Sequence, residues 1–243
     1  MMLSEGASVP ETGPADIADA NGSGRDAIQR VTDGVIYCIR TGQMVPGQHL
    51  VESDLTRRFG VSRGSLREGL KQLMASGIVT LTRYRGAYIS SLDRKGVSDL
   101  LEVLEPLCTI AARLAAQNCQ SDADKARLHA IATELGSDAN RGGGHASYLE
   151  NRRTFYDLLI KMGGNTELGR VIPLARTDLF RAQFDRAQTK DQHKRHANGY
   201  LKIAEAVANN DPAKAERAVR KHFSGTRETS AVIPEHVFSA ESL

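Results

Sequence analysis

Two arginines one helical turn apart, Arg63 and Arg67, are the first side chains in this sequence whose spacing suggests a chemistry. Residues four apart project from the same face of a helix. A guanidinium group matches the O6 and N7 atoms of guanine, and each such bidentate pair is worth about 1–3 kcal/mol of base discrimination. The hydroxyls of Ser62 and Ser65, together with the amides at a helix N-terminus, suit phosphate oxygens. These residues predict a surface that reads double-stranded DNA.

The sequence around these arginines predicts a helix-turn-helix. Apolar residues recur at helical spacing over 26–41, which indicates a first helix. A short second helix is predicted over 52–59, with a cap and carboxylates supplied by residues 52–54. Ser62 can cap a third helix that ends near Gly77. In such a pair the second helix lies in the major groove and uses its N-terminal residues on base edges.

A β-hairpin, or wing, is predicted after the third helix, because β-branched and apolar residues occupy 78–82 and 87–90 on either side of a turn. Basic residues without neighbouring acids flank that turn, which favours phosphate or minor-groove contact. Each arginine taken singly is equally well explained as a solvated surface charge, but their joint placement favours DNA. The candidate DNA contacts are Ser62, Arg63, Ser65 and Arg67, with Arg57 and Arg58 before the turn and Arg83 and Arg85 on the wing.

Formal charge is distributed unevenly along the chain. Residues 1–25 sum to −3, residues 26–95 to +5 and the remainder to +1, within a total of +3. A basic excess confined to one segment is typical of a polyanion-binding module joined to a near-neutral domain, although chance fluctuation is the alternative. The sequence therefore predicts a disordered tail over 1–25, a winged helix-turn-helix domain over 26–92, a helical domain over 93–230 and a C-terminal tail over 231–243.

The second half of the chain is helical by periodicity, with about six helices and a glycine loop at 142–144. This predicts an antiparallel all-α bundle, so the fold class is mostly α with a small β-hairpin wing. Cys38, Cys108 and Cys119 lack metal-site spacing and are expected to be reduced thiols. No apolar run reaches the roughly 18 residues of a membrane span, and no signal peptide is recognised. We expect a cytoplasmic, nucleoid-associated protein without membrane contact.

The helix-turn-helix region contains four short motifs in register, which are GQMVPGQHLVE (42–52), FGVSR (59–63), LRE (66–68) and GIV (77–79). Through them, residues 26–90 resemble the winged helix-turn-helix of the GntR family of bacterial transcription regulators. The resemblance implies a homodimer that binds operator DNA. It places the family's base and phosphate readers on Arg63 and Arg67, with Ser62, Ser65 and Gly86 as backbone contacts.

The helical half resembles the FadR-type C-terminal (FCD) ligand-binding domain, through segments at 104–116, 155–165, 200–203 and 211–222. Many members of that family hold a metal with one aspartate and three histidines, and the metal grips a carboxylate effector. The matching positions here are Arg152, Tyr156, Tyr200 and His222, so only the last retains a family ligand. Because an arginine beside the metal would oppose a cation, we expect no metal cofactor.

The same four residues suggest another way to bind an acid. Arg152 and Tyr156 are four apart and share a helix face, while Tyr200 and His222 come from two later helices. An arginine can bind a carboxylate directly, which would replace capture through a metal. We therefore expect a small carboxylate effector bound by these four residues. The open alternative is that Arg152 faces water while the tyrosines and the histidine are packing residues.

Other polar residues of the helical half receive simpler interpretations. Leu104 and Cys108 stand where the family has an arginine and a glutamate, which leaves the remaining pocket chemistry open. Arg176, Arg181 and Arg186 are spaced by five residues and do not share a helix face, so they are interpreted as surface or dimer-contact charges.

An enzyme is not expected, because a nucleophile elbow, a P-loop and an HExxH motif are absent. The histidines of this half are scattered and are interpreted as surface or packing residues; they are His145, His193, His196 and His222. We therefore predict a ligand-responsive, sequence-specific transcriptional regulator, namely a repressor that a small organic acid releases from a palindromic operator. The alternatives are a metal-dependent FCD sensor with a rearranged site and a DNA-binding protein that ignores effectors.

Overall fold

The computed structural model describes residues 24–82, 86–141, 145–184 and 187–238. The N-terminal part contains three helices and a three-stranded antiparallel sheet in the order β1-β3-β2. Its elements are α1 (Gly24–Arg40), β1 (His49–Leu50), α2 (Glu52–Phe59), α3 (Arg63–Ala75), β2 (Val79–Thr82) and β3 (Gly86–Ile89). Gly60, with a φ of 60°, adopts the left-handed conformation that ends α2 and allows α3 to begin after a short turn.

The core of this part forms where α1 crosses α3. Val31 and Val35 of α1 and Leu66 of α3 are all completely buried. The two helices approach closely at Gly69, where a Cβ atom would lie 2.6 Å from Cγ1 of Val31. Apolar residues at periods of three and four thus bury one face of α3 and leave its opposite face in solvent.

The C-terminal part is a helical bundle. Its elements are α4 (Arg94–Asn118), α5 (Asp122–Arg141), α6 (His145–Gly163), α7 (Thr166–Val171), α8 (Leu174–Phe184), α9 (Lys190–Ala208), α10 (Pro212–Ala231) and a 3₁₀ turn (Glu235–Val237). Helix α4 packs against α6 and α10, and α9 packs against α5 and α10. Polar caps define several of these ends, as at Thr189, where a capping box begins α9. The predicted fold class, mostly α with a small wing and a helical bundle, is confirmed.

Helix α8 contacts both parts of the molecule. Leu179 is completely buried and belongs to the core of the N-terminal part, while Phe180 and Phe184 belong to the core of the bundle. Arg176 lies beside the turn after α3, because a Cβ on Gly77 would be 3.2 Å from its Nε atom. Helix α8 therefore joins the two parts, which also meet where α1 contacts α6.

Several local features differ from the sequence expectations. Residues 52–54 do not cap α2; its N-cap is Val51, which forms no side-chain cap. Strand β1 was not predicted, because two residues carry too little pattern and are ordered by pairing with β3. The expected C-terminal tail is packed in its described part, where Ile233 and Phe238 are buried. No helix within the described residues is long and apolar enough to span a membrane. The predicted tail over 1–25, except its last two residues, and the glycine loop lie outside the described residues.

Candidate functional site

The first turn of α3 presents the predicted recognition residues. Arg63 and Arg67 are both exposed. The hydroxyl of Ser62 caps the helix by accepting a hydrogen bond from the amide of Ser65 at 3.1 Å. The structure therefore gives this serine a definite local role, which orders the helix end that carries the arginines.

The other candidate arginines near the turn have acidic or amide neighbours. Arg67 Nε lies 3.3 Å from a carboxylate oxygen of Glu52, and Arg57 pairs with Asp54 at 3.2 Å. Arg58 hydrogen-bonds the side chain of Gln43. Exposed pairs of this kind are worth only about 0–1 kcal/mol, so a phosphate or a base edge can replace them. No hydrogen bond or ion pair holds Arg63 within the described part of the chain.

The wing is built around Gly86. Its φ of +91° lies in the region that favours glycine, and a Cβ there would be 2.8 Å from Nε2 of His49. This residue thus has a conformational role that is independent of its predicted backbone contact with DNA. Arg83 and Arg85 lie outside the described residues, as does Arg186.

The four predicted effector residues come together inside the bundle. Arg152, Tyr156, Tyr200 and His222 are each at most 6% exposed. The guanidinium carbon of Arg152 is 5.0 Å from the ring centre of Tyr156, and the ring centres of Tyr200 and His222 are 4.6 Å apart. The alternative in which Arg152 faces water is therefore wrong, because its side chain is only 3% exposed.

Arg152 already has an acidic partner. Its Nη1 atom donates to Oδ1 of Asp178 at 3.2 Å, and Nη1 of the half-buried Arg153 donates to Oδ2 at 3.1 Å. Asp178 is 1% exposed. Burial raises the pKa of Asp178, and the two arginines act in the opposite direction by favouring its charged form. The sequence interpretation did not include this carboxylate.

Two further buried residues lie beside these groups. Arg181, interpreted from the sequence as a surface or dimer-contact charge, is only 6% exposed, so that interpretation is wrong. His196, interpreted as a surface or packing residue, is 8% exposed and is therefore packed. Arg181 Nη2 hydrogen-bonds Nε2 of His196 and lies 3.3 Å from the Thr226 hydroxyl. Because a guanidinium group only donates, Nε2 accepts, and the proton on Nδ1 is donated to the Tyr148 hydroxyl at 2.9 Å.

Both histidines of the cluster are neutral near neutral pH. Burial lowers the pKa of His196 and of His222 well below the usual range, and the charge of Arg181 acts in the same direction. Their ring centres are 4.1 Å apart. Sequence signals for the missed residues did exist. His196 and Tyr200 are spaced by four on the buried face of α9, and Asp178 lies in the helix Leu174–Phe184, whose apolar residues surround it.

The buried cluster consists of Arg152, Tyr156, Tyr200 and His222 together with Asp178, Arg181 and His196. It contains fewer negative than positive charges, and several of its hydrogen-bond donors lack an acceptor. Its deeply buried groups include two guanidinium groups, on Arg152 and Arg181, and one carboxylate, on Asp178. The Nε atoms of both arginines, the Tyr200 hydroxyl and Nδ1 of His222 have no hydrogen-bond partner in the described structure. Burying an unpaired charge or an unsatisfied donor is costly, so this arrangement suits an anion that brings acceptor oxygens.

A groove of about 290 Å³ runs between α9 and α10 and reaches this cluster. His196 and His222 line its inner side. Gly199 allows the His222 ring to lie against α9, because a Cβ there would be 2.1 Å from Nδ1 of that ring. The remaining lining residues are Gln192, Arg195, Asn198, Lys202, Ala218, Lys221, Ser224, Gly225, Glu228 and Thr229.

The residues at the position of the family metal site do not fit a metal ion. Two buried guanidinium groups repel a cation, and Arg181 already occupies Nε2 of His196. Burial raises the pKa of the nearby Cys108 thiol to about 12, so this side chain is not a thiolate ligand. Among the described residues, no group of three or more histidines, cysteines and carboxylates is arranged to hold a metal.

Comparison with known proteins gives matches for both parts of the chain. The family model "Bacterial regulatory proteins, gntR family" matches residues 27–89, and the model "FCD domain" matches residues 99–225. A probable D-xylose utilization operon transcriptional repressor from Paenarthrobacter nicotinovorans is 23% identical over 206 residues, covering 80% of this chain and 84% of that protein. An uncharacterized HTH-type transcriptional regulator, YdhC, from Bacillus subtilis is 26% identical over 133 residues, covering 54% of this chain and 58% of that protein.

Among solved structures, E. coli McbR/YncC superposes with a TM-score of 0.73 at 15% identity, covering 84% of this chain and 97% of that one. At this identity the likeness concerns the fold, a winged helix-turn-helix followed by a helical bundle.

Proposed function

The chain belongs to the GntR family of bacterial regulators and carries an FCD domain, and from that premise we propose that it represses transcription until a small organic anion releases it from its operator. It is a DNA-binding transcriptional regulator rather than an enzyme. We also propose that it binds its operator as a homodimer and that it represses rather than activates transcription. As a chromosome-binding regulator it would act in the cytoplasm at the nucleoid.

The DNA-binding part of the proposal rests on the exposed first turn of α3. In the homodimer, two copies of α3 would enter the major groove at half-sites about one helical turn apart, which requires a palindromic operator. Arg63 and Arg67 would read bases, while Arg57, Arg58 and the two wing arginines would contact phosphates.

Binding to an operator selected from random duplexes tests this division of roles. We expect Arg63→Ala and Arg67→Ala each to lose about 1–3 kcal/mol of discrimination at defined base pairs. Arg57→Ala and Arg85→Ala are matched controls and should weaken binding to operator and random DNA alike. An equal loss on both kinds of DNA for Arg63→Ala would contradict the assignment.

The effector part of the proposal rests on one observation, the excess of buried positive charge among Arg152, Arg181 and Asp178. A carboxylate would supply the missing charge and accept hydrogen bonds from Tyr200 and from the arginines. No metal is needed for this interaction. The position of Tyr156 beside Arg152 supports the cluster as one binding region.

Operator binding by chelator-treated protein, with organic acids added one at a time, tests the effector role. We expect an acid to lower operator affinity without added metal. A response that appears only with a divalent metal would favour a metal-dependent sensor with a rearranged site, and no response to any acid would favour an effector-independent DNA-binding protein. Either outcome would overturn the proposal.

Helix α8 offers a physical route between the two sites. Asp178 and Arg181 belong to the buried cluster, while Leu179 on the same helix is packed in the N-terminal core and Arg176 lies beside Gly77 after α3. An anion that changes the contacts of α8 would change the packing of the N-terminal core that holds α3 in place. By linkage, operator DNA must weaken anion binding by the same factor as the anion weakens operator binding.

A further inference from the structure

We infer that the anionic group of the effector binds at Arg181 rather than at Arg152, and that the effector enters through the groove between α9 and α10. This inference rests on the proposed function, because only that function makes the bound ligand an effector. The binding position itself can be tested without DNA.

The two buried arginines differ in how their charges are compensated. Arg152 faces the carboxylate of Asp178, which is almost completely buried with it. Arg181 contacts a neutral imidazole, His196, and a hydroxyl, Thr226, and no carboxylate within the described residues. A guanidinium group deprived of water and without an anion is the strongest anion-binding feature of the cluster.

The aromatic rings near Arg181 include groups that lack hydrogen-bond partners. His196, which contacts Arg181, packs its ring against Tyr200 at 5.2 Å and against His222 at 4.1 Å between centres. The Tyr200 hydroxyl, Nδ1 of His222 and Nε of Arg181 are all buried without partners. A carboxylate has two oxygens that accept several hydrogen bonds and carries the one negative charge that the buried groups lack.

The groove explains both access and ligand class. His196 and His222 line the groove and also border the Arg181 position, so they join the surface to the buried cation. Three basic residues and one acidic residue are among the groove residues, which favours entry of an anion. Polar groups and apolar surface both line the groove, so the part of the ligand that follows the carboxylate meets hydrogen-bonding side chains beside apolar surface. The ligand class is a small monocarboxylate.

Stability measurements on the full chain without ligand test the charge argument. Arg152→Met leaves Asp178 buried with only the half-buried Arg153, and we expect the Tm to fall by about 10 °C. Arg181→Met removes an uncompensated buried cation, so its Tm should fall much less or should rise. An equal or larger fall for Arg181→Met would overturn the inference.

Sodium acetate and sodium gluconate serve as probes, with sodium chloride at the same ionic strength as the reference. We expect both carboxylates to raise the Tm of the wild-type chain, and gluconate to raise it more than acetate because it also reaches into the groove. The rise should persist in Arg220→Met, which changes an exposed arginine of α10, and should be lost in Arg181→Met. No rise in the wild-type chain, or an undiminished rise in Arg181→Met, would overturn the inference.

Operator binding separates this inference from the proposed function. If gluconate stabilises the chain through Arg181 but leaves operator affinity unchanged, the binding position is supported and the effector role fails. If an acid releases operator DNA equally well from the wild-type chain and from Arg181→Met, the effector role is supported and the binding position fails.

Discussion

Acidification should destabilise this protein because two of its histidines are buried as neutral rings. His196 and His222 are 8% and 6% exposed, and the charge of Arg181 beside them adds to the effect of burial in lowering their pKa values. In the unfolded chain both rings regain a pKa of about 6.5. Above that pH neither state binds the proton and no stability is lost. Below it the unfolded state binds protons that the folded state refuses, so the free energy of unfolding falls as the pH falls.

The size of the loss follows from the number of protons. Each buried histidine contributes a slope that approaches about 1.4 kcal/mol per pH unit below its unfolded pKa. Between pH 7.5 and 5.5, His196 and His222 together should lower the free energy of unfolding by about 3 kcal/mol. The loss continues until the pH reaches the lowered pKa values of the folded state, which lie well below 6.5.

Urea unfolding followed by circular dichroism at several pH values measures this slope. We expect His222→Gln to reduce the pH dependence by about half, because a glutamine does not titrate. His129→Gln changes an exposed histidine and should leave the slope unchanged. A free energy of unfolding that stays flat between pH 7.5 and 5.5, or equal slopes for the two variants, would refute the reasoning.

Two further predictions concern groove geometry and coupling. Gly199→Ala should destabilise the chain by about 1–3 kcal/mol in urea unfolding, because its Cβ would lie 2.1 Å from Nδ1 of His222, whereas Gly225→Ala, which meets no atom within 4 Å, should be neutral or stabilising by up to about 1 kcal/mol. A stabilised Gly199→Ala would contradict the observed packing. Leu179→Ala and Leu159→Ala should each cost about 2–5 kcal/mol, because both side chains are completely buried, but only Leu179→Ala should reduce the effect of an acid on operator affinity in a fluorescence binding assay. An equal reduction in both variants would argue against α8 as the route.

The winged helix-turn-helix could be predicted from the sequence because its signals are local. Ser62 caps α3 through an amide three residues away, and Gly60 turns the chain with a left-handed conformation. The apolar period buries Leu66, whereas Arg63 and Arg67 beside this buried stripe remain exposed. Each of these features depends on neighbours within one or two helical turns. For the same reason the helical nature of the second half was evident from its periodicity.

The buried cluster could be predicted only in part. The spacing of Arg152 and Tyr156 indicated one shared face, and the structure places both beside Tyr200 and His222. Arg181 could not be added from its sequence position, because isolated charged residues are usually exposed unless a partner is known.

What the sequence by itself determined is the exposed basic surface of α3, the helical class of the second half and the replacement of three of the four family metal ligands. What only the tertiary structure decided is the charge balance inside the bundle. Asp178 meets Arg152 across 26 residues, and His196 meets Tyr148 across 48 residues. The protonation and burial of such groups, and the pairing of their charges, depend on which distant side chains surround them. Those neighbours are fixed by helix packing rather than by local spacing.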